Sequence, residues 1–137
     1  MINFLDDPAE LPKGRADVRL LQLGFYVYED GRRVMVGFEL TPFLERPSLE
    51  ISIFNENGDR AASMIIVDTQ IPNFSMTMHL RVTNPTDTYR VDAVVYYAMP
   101  NEEREFVQGE TAVLDMTIPG EQLVKINNWA HRKTQFL

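Results

Sequence analysis

The residues that most often carry catalysis are few and scattered in this sequence. His79 lies in an alternating stretch between Thr77 and Arg81, and His131 lies in a basic segment near the C-terminus. A two-histidine metal site would require these two distant segments to meet. None of the four serines has a neighbouring base or lies in a G-x-S-x-G motif; they are Ser48, Ser52, Ser63 and Ser75. With no cysteine nucleophile and no glycine-rich phosphate loop, the sequence predicts a protein that is not an enzyme and has no metal or other cofactor.

Carboxylates offer a second kind of chemistry, the binding of cations. The oxygen-rich residues 55–59 do not match the ligand spacing of an EF-hand loop, so a hairpin turn is the favoured interpretation. Another acidic set comprises Glu102, Glu103, Glu105 and Glu110. It predicts a solvated loop, and the alternative is a contact surface for a basic partner or a cation. A small-molecule or divalent-cation site at the loop ends, built from the first three of these glutamates with Asp59 or His79, stays open as the second hypothesis.

Composition limits the class of protein. The 137 residues carry 20 Asp+Glu and 13 Lys+Arg, a formal net charge of −7, and no cysteine. A chain of this length forms one domain around a single core, and its charged and aromatic content excludes wholesale disorder. The acidic balance argues against nucleic-acid binding through bulk charge, and the missing cysteines exclude disulfides and thiolate zinc sites.

Neither export nor membrane insertion is indicated. Residues 1–14 carry three acidic side chains where a signal peptide requires a basic start followed by an apolar stretch. The longest apolar-rich runs, residues 20–28 and 91–99, are much shorter than the ~20 residues that cross a bilayer as a helix. The expectation is a soluble, cytoplasmic protein with neither nucleic acid nor membrane among its partners.

Two hairpins are predicted from turn residues and apolar alternation. Asp30-Gly31 suits a two-residue type I′ turn, because both residue types tolerate positive φ. That turn places four apolar pairs on one side: Val27 with Val34, Phe25 with Val36, Leu23 with Phe38 and Leu21 with Leu40. At Asn57-Gly58 the same arithmetic gives Ile53 with Ala62, Ile51 with Met64 and Leu49 with Ile66. Glu56 would face Asp59 there, and this like-charge pair predicts a looser turn.

Three further alternating stretches predict strands that begin near Phe74, Tyr89 and Thr111, the last with Ile118 in its inward set. Seven short strands between residues 17 and 118 are typical of an antiparallel sandwich of two sheets. Residues 84–94, which include Tyr89, are similar to the tyrosine corner of the immunoglobulin and fibronectin type III superfamily. The resemblance implies a hydrogen bond from the Tyr89 hydroxyl to a backbone group a few residues upstream. The sequence departs from antibody domains in lacking the inter-sheet cysteines.

The two ends of the chain differ from its body. Residues 1–16 predict an extended acidic arm and residues 17–118 the sandwich. In residues 119–137, Leu123, Ile126 and Trp129 recur at helical spacing, which predicts a short amphipathic helix. This tail is basic, whereas the rest of the chain is acidic. The predicted fold class is therefore all-β, a seven-stranded antiparallel immunoglobulin-like β-sandwich with a short C-terminal helix.

Two surfaces are candidates for binding a protein. The first, named here the tyrosine surface, is the outer side of the first hairpin, where Tyr26, Tyr28 and Met35 stand around the opposed Gly24 and Gly37. The second is the tail, whose candidate contacts are Trp129, Arg132, Lys133 and Phe136. The expected function is a non-enzymatic protein-interaction or oligomerisation module that binds a protein partner or a second copy. Burial of either surface within the chain, or a place in a larger assembly, stays open.

Overall fold

Eight β-strands make up most of residues 11–126, which are the residues that the computed structural model describes. They are β1 (Leu20–Val27), β2 (Arg33–Leu40), β3 (Ser48–Phe54), β4 (Arg60–Ile66), β5 (Asn73–His79), β6 (Thr88–Tyr97), β7 (Glu105–Asp115) and β8 (Gly120–Lys125). A single turn of 3₁₀ helix, Arg15–Asp17, precedes β1. Within residues 11–126, no helix has the length and apolar character needed to cross a membrane.

The strands form two four-stranded antiparallel sheets. The first sheet has the order β5-β2-β1-β8 and the second has the order β4-β3-β6-β7. The predicted antiparallel β-sandwich is confirmed, and it is consistent with an immunoglobulin-like fold at this coarse level. The expected count of seven strands is wrong, because the described residues contain eight.

The core lies between the sheets and follows from the period-two pattern of each strand. Leu23 and Phe25 of β1 belong to it on the first sheet, and Ile51 of β3 and Val91 of β6 belong to it on the second. Each of these side chains is at most 1% exposed. Because alternate side chains of a strand point to opposite sides, the residues between them form the outer faces of the two sheets.

One polar side chain links the two sheets through this core. Gln108 of β7 is 3% exposed. Its Oε1 accepts a hydrogen bond from the Leu20 backbone N–H at 2.7 Å, and its Nε2 donates to Glu110 Oε2 at 2.8 Å. Gln108 therefore satisfies a buried donor of β1 where that strand has a register irregularity between Leu20 and Gln22.

The two predicted hairpins have nearly all of the predicted pairs. In the first hairpin the pairs from Val27–Val34 through Leu23–Phe38 are confirmed. The outermost pair is wrong, because the irregularity in β1 places Leu20 rather than Leu21 opposite Leu40. The second hairpin has every predicted apolar pair: Leu49 with Ile66, Ile51 with Met64 and Ile53 with Ala62.

The loop of the first hairpin is wider than predicted. A type I′ turn needs positive φ at both central residues, and here Gly31 has a φ of 68° while Asp30 does not have a positive φ. The Asp30 carboxylate instead accepts the backbone N–H groups of Arg32 and Arg33 at 2.9 and 3.0 Å. These bonds stabilise a loop that Tyr28 N–H closes by donating to the Arg33 carbonyl. The type I′ prediction is therefore wrong.

Residues 55–59 form a hairpin turn, as expected. The Asn55 side chain lies inside this turn and is 4% exposed. Its Oδ1 accepts from the backbone N–H groups of Asn57 and Asp59 at 3.0 and 2.8 Å, and its Nδ2 donates to the Asn84 carbonyl at 3.0 Å. The asparagine oxygen is thus used to order the loop itself.

The expected C-terminal helix is not supported. Residues 120–125 form β8, which pairs with β1 in an antiparallel manner. Gln122, Val124 and Ile126 are half-buried and alternate with exposed residues, so a period of two competes with the helical spacing seen in the sequence. Pairing with the available edge of β1 decides in favour of the strand. The remainder of the predicted helix, residues 127–137, lies outside the described residues, as do residues 1–10 of the acidic arm.

The last two strands also differ from the prediction at their boundaries. β7 begins at Glu105, so part of the expected acidic loop is strand. Ile118 was expected to face the core, but it lies in the connection between β7 and β8 and is 56% exposed. Met116 is the last residue of the predicted strand to be buried. The alternation of Ala112, Leu114 and Met116 therefore ends two residues earlier than the sequence pattern indicates.

The tyrosine corner has the hydrogen bond that the resemblance implied. Tyr89 is 4% exposed, and its hydroxyl oxygen accepts the backbone N–H of Thr86 at 3.3 Å. The Thr86 hydroxyl donates to the Thr88 carbonyl at 2.8 Å. Together these bonds stabilise the entry into β6.

Candidate functional site

The structure brings Tyr26, Tyr28 and Met35 together on the outer face of the first sheet. Strand pairing arranges this face in rows that run across the strands. One row consists of Glu121, Tyr26, Met35 and Thr77, and the next consists of Leu123, Gly24, Gly37 and Ser75. A row of small residues, closed at the β8 edge by a leucine, therefore lies beside a row of larger ones.

The two tyrosines differ in how firmly they are held. Their rings meet edge to face, with centroids 5.4 Å apart and planes at 74°. The guanidinium of Arg33 lies 4.4 Å from the centroid of the Tyr28 ring, and the Tyr28 and Thr77 hydroxyls are 3.5 Å apart. Tyr26 is 48% exposed. Tyr28 is thus held by its neighbours and packs against the ring of Tyr26, which is exposed to solvent.

Two adjoining hollows, each of about 390 Å³, lie over the row of small residues. Both include Gly24, Gly37 and Ser75 in their lining. The first hollow is bordered by the three side chains of the tyrosine surface and by Glu121, and the second by Leu123, Phe74 and Glu39. Together they form a trough across the sheet, with mostly apolar walls in the first hollow, mixed polar and apolar walls in the second, and a carboxylate beside each part.

The glycines that form the floor of the trough are not required by the described backbone. Neither Gly24 nor Gly37 has a positive φ. A Cβ at Gly24 would approach Leu123 Cδ1 to 3.5 Å, and one at Gly37 would approach Ser75 Cβ to 3.4 Å, which are ordinary contacts. Glycine inside a strand weakens it and often marks close approach of another chain or a ligand. The trough therefore exists because Gly24 and Gly37 have no side chains.

Sequence reasoning missed two contributors to this surface, Glu121 and Leu123. Both belong to β8, and the helix predicted there placed them elsewhere. The alternation of Gln122, Val124 and Ile126 was the available signal. The exposed fraction of Leu123 is 51%, so β8 adds apolar area at the edge of the trough.

The proposed contacts in the tail, Trp129, Arg132, Lys133 and Phe136, lie outside the described residues. The structure does locate the point from which this segment departs. The Ile126 N–H donates to the Leu21 carbonyl at 2.9 Å, and Lys125 pairs with Gln22 of β1. Gln22 itself lines the second hollow. The segment after residue 126 therefore starts beside the trough.

The acidic residues considered for a cation site are not gathered into one. Glu105 pairs with Arg15 at 2.8 Å, and Glu102 and Glu103 are exposed. His79 pairs with Arg33 across β5 and β2. No group of three or more histidine, aspartate or glutamate side chains in residues 11–126 has the arrangement to hold a metal ion. The described residues thus offer no observation in favour of a cation site at the loop ends.

Glu105 instead belongs to a network that attaches the N-terminal segment to the sandwich. The Arg15 guanidinium reaches Glu45 at 2.7 Å and Glu105 at 2.8 Å and lies 4.8 Å from the centroid of the Tyr97 ring. The Tyr97 hydroxyl donates to the Glu45 carbonyl at 2.9 Å. Burial and, to a lesser degree, the Glu45 carboxylate raise the pKa of Tyr97. These contacts give Arg15, Glu45 and Glu105 a structural role at the start of the described residues.

Comparison with known proteins assigns the chain to no family, because neither the family models nor the curated proteins contain a match to it.

Proposed function

We propose that this protein is a non-enzymatic interaction module that self-associates, with the tyrosine surface of one copy binding the C-terminal segment of another. The observation that carries the proposal is the pair of opposed glycines, Gly24 and Gly37. Strand glycine costs about 0.5 to 1 kcal/mol relative to alanine, and the described structure has room for alanine at both positions. Glycine inside a strand often marks the close approach of another chain, and this supports a surface that admits one.

The chemistry of the C-terminal segment is complementary to the trough. Residues 127–137 contain Arg132 and Lys133 and no acidic residue, whereas Glu39 and Glu121 border the trough. The segment also contains Trp129, the single tryptophan of the chain, and tryptophan and arginine are the residues most enriched among the strongest interface contacts. The overall negative charge favours such a basic protein segment over a nucleic acid or an anionic membrane as the partner.

The position of β8 supports exchange of this segment between copies. Among the strands of residues 11–126, β8 lies at the edge of its sheet, and Trp129 follows Ile126 by three residues. Three extended residues span about 10 Å, enough to carry the indole onto the tyrosine surface of a copy packed against that edge. A reciprocal exchange would make the contact isologous, as in most homodimers.

The experiment is light scattering behind a sizing column, applied to the full chain and to full-length variants. Gly37→Leu fills the trough and Trp129→Ala removes the anchor, and Gly14→Leu is the matched control because nothing lies within 4 Å of a Cβ at Gly14. We expect the wild type and the control to have at least twice the chain mass of 15.8 kDa and both test variants to have the monomer mass.

A wild type that stays monomeric at high concentration contradicts the proposal, as does a Gly37→Leu variant that still associates. A further variant, Gly37→Ala, separates association from folding. At a dilution where both proteins are monomers, its melting temperature should equal or exceed that of the wild type, since alanine is favoured over glycine in a strand. Monomers in which the tryptophan fluorescence is that of a buried indole would show docking within one chain instead.

We further propose that the fold belongs to the immunoglobulin and fibronectin type III superfamily. Two observations support this assignment: the β-sandwich with four strands in each sheet, and the bond between Thr86 N–H and the Tyr89 hydroxyl at the start of β6. Such folds serve many functions, so the assignment adds nothing to the proposal about binding. An experimental structure with a different strand order would contradict it.

A further inference from the structure

A third hollow, of about 440 Å³, lies at the end of the sandwich that carries the loop between β1 and β2. It forms between the loop that joins β1 to β2 and the segment that joins β5 to β6. Six of its lining residues matter here: Arg32, Leu80, Arg81, Val82, Thr83 and Tyr89. Its volume falls in the range of about 300 to 1,000 Å³ that is usual for small-molecule sites.

The walls of this hollow are held by backbone hydrogen bonds. The Leu80 N–H donates to the Arg32 carbonyl at 2.8 Å, and the Arg81 N–H donates to the Ala61 carbonyl at 2.8 Å. Leu80 and Val82 pack against the core, and Tyr89 is almost fully buried. The hollow therefore has an apolar floor that is part of the folded domain, and the two arginines among its lining residues are anchored through their backbones.

The charge at the rim of the hollow is positive and unneutralised. Within residues 11–126, neither the Arg32 nor the Arg81 guanidinium makes an ion pair, a hydrogen bond or a ring contact. Asp30, which is close to Arg32 in the chain, is paired with Arg33 at 2.7 Å. By contrast, Arg15, Arg33, Arg90 and Arg104 each pair with a carboxylate.

Two guanidinium groups that have no partner within residues 11–126 belong to the lining of one hollow, and this arrangement suits an oxyanion. Guanidinium groups bind carboxylates and phosphates through paired, charge-assisted hydrogen bonds, and the Thr83 hydroxyl adds a neutral donor. The chain as a whole carries a net charge of −7 and repels anions elsewhere. Two arginines that lack a partner within residues 11–126 and line the same hollow therefore favour the binding of an anion at this place on an acidic protein.

We propose that this hollow binds a small organic molecule that combines a carboxylate or phosphate group with an apolar body. The oxyanion is held by Arg32 and Arg81, and the apolar body lies on Leu80, Val82 and Tyr89. This ligand site is independent of the proposed self-association. The tyrosine surface lies on the outer face of the first sheet, and none of its residues lines this hollow.

The test is a titration followed by amide NMR on the full chain. The probes are phenyl phosphate and benzoate, which combine an anion with an apolar ring, and inorganic phosphate, which has the anion alone. We expect saturable shifts confined to the amides around Arg32 and Arg81, with a dissociation constant on the order of 1 mM. Inorganic phosphate should bind at least about tenfold more weakly than the better of the two ring compounds.

Matched variants separate the site from general electrostatics. The double variant Arg32→Gln, Arg81→Gln should weaken binding at least about tenfold. Arg46→Gln is the control, because Arg46 is also exposed and has no ion pair within residues 11–126, yet lies in the loop between β2 and β3. Binding by this control should match the wild type. Unchanged amide shifts away from the hollow show that the double variant is folded.

Several results would overturn the proposal. One is the absence of shifts with all three probes up to about 20 mM. Another is that Arg46→Gln weakens binding of the probes as much as the double variant does, which would show that the probes respond only to the overall charge of the protein. A third is inorganic phosphate binding as tightly as the ring compounds, since the apolar floor would then contribute nothing. The relative affinities of phenyl phosphate and benzoate identify which oxyanion the site prefers. None of these results bears on the self-association, which is measured by mass.

Discussion

Replacing Gln108 by leucine tests whether the bond between the two sheets stabilises the fold. The change keeps the size of the side chain but removes the acceptor for the Leu20 N–H, a donor that is buried with Leu20 at 1% exposure. Leaving a buried donor without a partner costs about 1 to 3 kcal/mol, and the gain from a more apolar side chain offsets part of this. After that offset, we expect a net loss of about 1 kcal/mol in the free energy of unfolding.

Urea denaturation followed by circular dichroism is the assay. With a denaturant slope of about 1.5 kcal/mol/M, a loss of about 1 kcal/mol lowers the midpoint by about 0.7 M. Gln70→Leu is the control, because Gln70 is exposed and the same chemical change there should alter stability by less than about 0.5 kcal/mol. Equal midpoints for the two variants would refute the view that Gln108 links the sheets.

Three more predictions concern the loops. Tyr89→Phe removes the acceptor for the Thr86 N–H and should lower the free energy of unfolding by about 1 kcal/mol. Tyr26→Phe, at an exposed position, is the control and should leave it unchanged. The measurement is thermal unfolding, and equal melting temperatures for the two variants would contradict the prediction. Gly58→Ala forces alanine to a φ of 85° and should lower the free energy of unfolding by about 1 to 2 kcal/mol. Gly14→Ala is the control, because the φ of Gly14 is −72°, which alanine adopts without strain. Equal melting temperatures for the two variants would argue against backbone strain at Gly58. The backbone N–H of Arg32 and then the Arg33 side chain lower the pKa of Asp30 from 3.8 to about 2. Because the folded value lies below the unfolded one, Asp30 stabilises the protein above about pH 4 and loses this effect as the pH falls through about 2. The difference in urea midpoint between the wild type and Asp30→Asn should therefore close towards pH 2, and a constant difference would contradict the assignment.

The sequence was most informative where one face of a strand is buried. All of the predicted apolar pairs of the two hairpins except Leu21 with Leu40 are confirmed, because a slip by one residue would expose every apolar side chain of the strand. Turn geometry was harder to predict. The Asp30 side chain bonds to two backbone N–H groups, and this local competition is invisible in the dipeptide Asp30-Gly31.

β8 shows why the end of the described chain was not predicted. Its residues satisfy both a helical and an alternating pattern, and pairing with β1 over a long sequence distance decides between them. The prediction of the candidate site was incomplete for the same reason. The grouping of Tyr26, Tyr28 and Met35 follows from the hairpin register, but the contribution of Leu123 depends on β8. The third hollow was not predicted, because it depends on how two loops meet.

The pairing of β8 with β1 also has a consequence for synthesis of the protein. β1 leaves the ribosome well before β8, and the edge of β1 that pairs with β8 is open until that partner, roughly 100 residues later, has been made. During that interval the hairpin of β1 and β2 exposes an apolar face and an open strand edge, which are the features that promote aggregation. Completion of the first sheet is therefore a late event in folding. A chain truncated before residue 120 would retain the open edge permanently.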